Sequence, residues 1–130
     1  MKKIILGALV LSTTLTFAQK KNTTNAAMSY SDAKKSVIAG KIGDATNSLL
    51  EAKTYIDLAA AHADTKSDAK TLMYKGKIYL DLGIFGTMIE NETVKSMDIE
   101  KLKEDGITSL KSVKPNDEKD RYGDDVKAYC

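Results

Sequence analysis

Leu72-Met73-Tyr74-Lys75-Gly76-Lys77-Ile78-Tyr79-Leu80-Asp81-Leu82-Gly83 decides the fold class of this chain. Leu72, Gly76, Tyr79 and Gly83 advance by four, three and four residues, the spacing of one helix face followed by a stop. A glycine inside a helix costs roughly 1 kcal/mol relative to alanine. Gly76 therefore predicts a partner helix so close that no Cβ fits between the two backbones.

The preceding segment carries the cleanest periodicity. Leu49, Ala52, Ile56, Ala59 and Ala63 fall on one face of a helix expected over about 45–63, with Asp44 as its N-cap after a Gly43-Asp44 turn. Ser67 is expected to cap the helix that contains Gly76, which ends near Leu82. Ile99, Leu102, Gly106, Leu110 and Val113 form a third stripe, again with a small residue at its centre, and Lys114-Pro115-Asn116-Asp117 stops it. Two shorter helices complete the expectation, one over about 31–41 with Val37 and Ile38 as its apolar residues, the other opening at Asp124. Residues 83–95 read as a loop with one short helical turn. No strand alternation of useful length occurs, so the predicted class is all-α.

The N-terminus reads as a processing signal. Lys2 and Lys3 precede a mostly apolar run from Ile4 to Leu15, and Thr16-Phe17-Ala18 places small residues where a signal peptidase reads. The run is shorter than the ~20 residues of a membrane span. Residues 1–18 are thus expected to be removed, 19–28 to form a polar flexible leader, and 29–130 to form the helical domain. Export to the periplasm or cell envelope follows, with no integral span after cleavage and secretion as a further outcome. Of the 130 residues, 112 then remain, carrying 18 Lys plus Arg against 18 Asp plus Glu. A balanced charge gives no reason to expect nucleic acid as a partner.

Residues suited to catalysis or metal binding are few. His62 and Cys130 are the single histidine and cysteine, and they lie far apart in sequence, where a zinc site draws three or four such ligands together. His62 suits the C-terminal end of a helix dipole. Cys130 offers no internal disulfide and reads as the cut end of a longer chain, a free thiol or an intermolecular bridge being the alternatives. The acidic residues Asp117, Glu118, Asp120, Asp124 and Asp125 lack the alternating spacing of a calcium loop and read as a solvated linker. No phosphate loop or nucleophile motif is present. No enzymatic activity and no cofactor are expected.

The quoted residues resemble the tetratricopeptide repeat, a pair of antiparallel helices about 34 residues long. Leu72, Gly76, Tyr79 and Gly83 match its first helix, with leucine for the usual tryptophan. Ala52, Ile56 and Ala59 match its second, with isoleucine for the aromatic and Asp64 where a closing proline falls. With the export signal, the chain is similar to envelope tetratricopeptide proteins of Gram-negative bacteria, as an N-terminal fragment of about two repeats. The resemblance implies stacked antiparallel hairpins in a short right-handed solenoid. It further implies a non-enzymatic interaction or scaffold module holding a peptide or protein on the concave face of its first helices. In the Gly76 register that face comprises Lys70, Met73, Lys77, Leu80 and Asp81. The alternative is a structural segment of a longer solenoid whose working part lies further C-terminal.

Overall fold

The backbone of the computed structural model is described for residues 2–117 and 119–129, and the side chains from Lys20 onward. The expected signal segment 1–18, Glu118 of the acidic group and Cys130 therefore lie outside the described side chains. Among the described residues the fold is all-helical. The elements are α1 (Lys2–Ile38), α2 (Ile42–Ala61), α3 (Ala69–Phe85), α4 (Glu92–Lys95), α5 (Ile99–Lys111), α6 (Val113–Asn116) and α7 (Gly123–Tyr129). No described helix is long and apolar enough to cross a membrane.

Gly76 has the close neighbour that its cost predicts. A Cβ placed there would lie 2.6 Å from Leu110 Cδ2 and 3.0 Å from the carbonyl oxygen of Gly106, both on α5. From the other side, a Cβ on Gly106 would lie 3.1 Å from Tyr79 Cβ and 3.2 Å from Leu80 Cγ. The two glycines thus let α3 and α5 cross nearly backbone to backbone. Ser109 Oγ donates to the Leu72 carbonyl at 2.7 Å on the same seam. Residues 72, 76 and 83 of α3 meet 109, 106 and 103 of α5, so the two helices run antiparallel.

Gly83 is not a stop. It lies inside α3, buried, with the aliphatic stem of Lys103 packed against it at 3.0 Å from its notional Cβ. The segment after it matches the expected loop with one turn. Asn91 Oδ1 accepts the backbone N–H groups of Thr93 and Val94, capping α4, and Val94 enters the main core.

The α2 stripe packs as its spacing dictates, with Leu49, Ala52, Ile56 and Ala59 fully or almost fully buried. Ala63 lies beyond the helix and is exposed. The helix begins earlier than expected. Its N-cap is Lys41, which leaves Asp44 in the first turn, where a carboxylate still favours the helix dipole. The turn before it is made by Gly40, whose φ of +74° suits glycine. Lys41 N–H bonds back to Ser36 O at 2.8 Å and Gly40 N–H to Val37 O at 3.0 Å, a Schellman ending. Asp68, not Ser67, holds the N-cap position of α3, with no hydrogen bond from its side chain to the helix.

The largest departure from expectation is residues 19–28. They are not a flexible leader but part of α1, and their inner face is packed. Thr23, Ala26, Tyr30 and Ala33 are buried, while Ile38, expected to anchor this helix, is 87 % exposed. Small residues let α1 approach its neighbours closely, and the Thr23 hydroxyl shares a buried 2.9 Å hydrogen bond with that of Thr71. Pro115 also lies inside an element, the single turn α6, which follows directly on α5.

Long-range pairs fix the layout. Thr23 meets Thr71 and Tyr30 meets Asp81, so α1 and α3 run parallel. Lys77 meets Asp125 and Asp81 meets Tyr129, so α3 and α7 do likewise. Thr23–Thr71, Lys77–Asp125 and Asp81–Tyr129 are each separated by 48 residues. That offset exceeds the period of about 34 residues expected of the tetratricopeptide pattern.

Candidate functional site

The helix α3 carries residues at 73, 77 and 81, one every four positions, so they share a face. Each meets α7. Met73 is buried beside Ala69 and Val113, and Tyr122 and Val126 pack on that small apolar cluster. Lys77 Nζ lies 2.8 Å from Asp125 Oδ1. Asp81 Oδ2 accepts the Tyr129 hydroxyl at 3.2 Å.

From the opposite side α1 closes on the same carboxylate. Tyr30 donates its hydroxyl to Asp81 Oδ2 at 2.8 Å, and the Tyr30 and Tyr129 hydroxyls are in direct hydrogen-bond contact. Lys34 Nζ stands 3.4 Å from Asp81 Oδ2 at the rim. The Lys77 ammonium sits over three rings, 5.7 Å from the centre of Tyr74 and 6.0 Å from those of Tyr30 and Tyr129. At these distances each ring face attracts the cation. Tyr30 meets Tyr74 edge to face with 5.9 Å between centres.

Electrostatics follow from this geometry. Burial, then the hydrogen bond with Tyr129 and the charge of Asp81, hold the Tyr30 phenol far above its ordinary pKa. Burial lowers the affinity of Lys34 for its proton, but the Asp81 charge and the Tyr129 hydroxyl outweigh it and leave the group raised. The Tyr79 phenol is also raised, through burial and then its hydrogen bond to Asp57 on α2.

A phenol whose pKa is raised on folding adds stability that is complete below the unfolded value of 10.0. That contribution is lost as pH climbs from there toward the folded value. For each of the two tyrosines the loss above pH 10 is expected at about 1.4 kcal/mol per pH unit. Urea unfolding at pH 9 and pH 11 checks it. The Tyr30→Phe/Tyr79→Phe chain should lose less stability over that interval than the unmodified chain, and equal losses would refute the assignment.

The five residues assigned to an open concave face therefore divide. Met73 and Asp81 are buried, and the Lys77 side chain is 12 % exposed; all three lie beneath α7 rather than on an open groove. Leu80 points to the crossing with α5. Lys70 is half-buried and lines a recess of about 290 Å³ with Lys20, Thr23, Asp64, Thr65 and Asp68, one turn from the others. Sequence reasoning missed Tyr30, Lys34 and Tyr129. A tyrosine four residues before a lysine on an otherwise polar segment was the available signal for the first two.

The other sequence candidates have local roles. His62 is the C-cap residue of α2, and its Nδ1 accepts the Asp64 N–H at 3.2 Å. Asp117 accepts the N–H groups of Arg121 and Tyr122 at 3.0 and 2.9 Å and so shapes the approach to α7. Among the described residues no three His, Cys, Asp or Glu side chains converge as metal ligands. No family model, no curated protein and no solved structure matches this chain.

Proposed function

We propose that the protein is a non-enzymatic interaction module of the cell envelope, which holds a protein partner on the α3 face between α1 and α7. The observation that supports it most is the Tyr30–Lys34–Lys77–Asp81 cluster. Rings and charges of both signs meet there at a seam between parallel helices, under a short helix with no buried residue of its own. Tyrosine is among the residue types that concentrate binding energy in interfaces, and Tyr30, Tyr74 and Tyr129 converge around Lys77 here. The short apolar run before Ala18 supports the envelope location. The tetratricopeptide resemblance supports the same face, although the 48-residue offset departs from that family's period.

Lys34, at the rim with its side chain 48 % exposed, is the position for a photocrosslinking residue. Irradiating intact cells should yield a specific adduct with another protein, and the yield should fall when Lys77→Glu is added. The similar offsets of the parallel helices, 48 to 51 residues in their hydrogen bonds, favour a second reading, a structural role within a helical array. In that case Lys34 yields no adduct above background, and the interaction reading fails.

A further inference from the structure

The helix α7 is seven residues long, and none of them is buried. Isolated helices of that length are not stable in water, so α7 keeps its shape through what it touches. What it offers is specific. Asp125 reaches Lys77 and Tyr129, four residues on, reaches Asp81 and Tyr30. The receiving residues Lys77 and Asp81 are also four apart, so two parallel helices match in register along one turn. An extended segment would place such a pair two residues apart, at about 6.6 Å. Beneath α7 the surface is not that of an ordinary helix seat. Without α7, Lys77 loses its carboxylate and Lys34 remains beside Asp81, so two cations face one anion within a ring of tyrosines.

Taking the interaction reading above as its basis, we propose that this face accepts a helical partner segment presenting a carboxylate and, four residues later, a tyrosine. The α7 pair Asp125 and Tyr129 is its intramolecular stand-in. A partner of this chemistry competes with α7 for Lys77 and Asp81, and the strength of α7 docking sets the threshold for capture. The approach to α7 suits such exchange. It turns at Asp120, in the left-handed region at φ +47°, and the Asp117 bonds that shape it are independent of α3.

The test uses the full chain and a fluorescein-labelled peptide with the sequence of residues 117–129. Asp125→Lys/Tyr129→Ala opens the α7 site, and fluorescence anisotropy should show the peptide binding this chain at least tenfold tighter than the unmodified one. Adding Lys77→Glu should return binding to the unmodified level. A peptide with its carboxylate and tyrosine two residues apart should bind the opened chain no better than the unmodified one.

Equal binding to opened and unmodified chains, with α3 and α5 amides still protected from hydrogen exchange, would overturn the proposal. Should the double substitution melt the fold, Asp125→Asn alone provides the same comparison, with a smaller gain expected. A concentration-dependent dimer of the unmodified chain that exchanges α7 would assign the face to a second copy and overturn it too. A Lys34 photoadduct without peptide binding keeps the interaction reading and removes the α7-like partner. Peptide binding without any adduct does the reverse.

Discussion

Gly76→Ala is expected to destabilise the protein by about 1–2 kcal/mol, against the direction of helix propensity. Alanine gains roughly 1 kcal/mol over glycine inside a helix, whereas overpacking a filled crossing costs roughly 1–3 kcal/mol. The geometry decides which wins. The new methyl would lie 2.6 Å from Leu110 Cδ2 and 3.0 Å from the backbone oxygen of Gly106. Leu110 is fully buried and the carbonyl belongs to α5, so neither can turn aside cheaply. Thermal denaturation should show a fall of several degrees, at about 4–8 °C per kcal/mol for domains of up to about 100 residues. Gly43→Ala is the control. It lies in the first turn of α2 with no atom within 4 Å of its notional Cβ, and should be neutral or stabilising by up to about 1 kcal/mol. Leu110→Ala should cost less in the Gly76→Ala background than alone, because the added methyl occupies part of the vacated space. Additive losses would remove the crossing as the cause.

Asp81→Leu should be the more damaging change, by about 3 kcal/mol in urea unfolding. The leucine removes the acceptor of both the Tyr30 and Tyr129 hydroxyls and the counter-charge of Lys34. Unpaired buried donors cost about 1–3 kcal/mol each, although Tyr30 and Tyr129 retain one another. Asp81→Asn keeps an acceptor oxygen and should lose about half as much. Adding Tyr30→Phe and Tyr129→Phe to the leucine variant should restore part of the loss, since the stranded hydroxyls are gone. If the triple variant is no more stable than Asp81→Leu, the carboxylate does not hold the seam through these phenols.

The all-α class and the need for a close partner helix at Gly76 were legible in the sequence because their signals are local. Gly76 and Gly106 announce themselves against the cost of glycine in helices, and the alanines of α2 lie on a regular stripe. Residues 19–28 were not legible, because Thr23 and Ala26 bury small or polar surfaces that leave no apolar period. Their packing depends on Thr71, 48 residues away. Asp81 failed for the same reason. A lone carboxylate on a helix reads as exposed, and its burial rests on Tyr30, 51 residues earlier. Of the five residues assigned to one face of α3, only Met73, Lys77 and Asp81 share it, and Tyr30 and Tyr129, which close on Asp81, come from α1 and α7.

The central position of α3 also ranks the ways the molecule can open. It touches α1 through Thr71 and Asp81, α2 through Tyr79, α5 through Gly76, and α7 through Lys77. Melting α3 therefore releases every neighbour at once, and its amides should exchange only through global unfolding. The short helices α4 and α7 rest on a few side chains each, Val94 for α4 and Asp125, Val126 and Tyr129 for α7, and belong at the other end of that scale. The seam thus joins an element held on every side, α3, to a short one, α7, that reaches it through a few side chains.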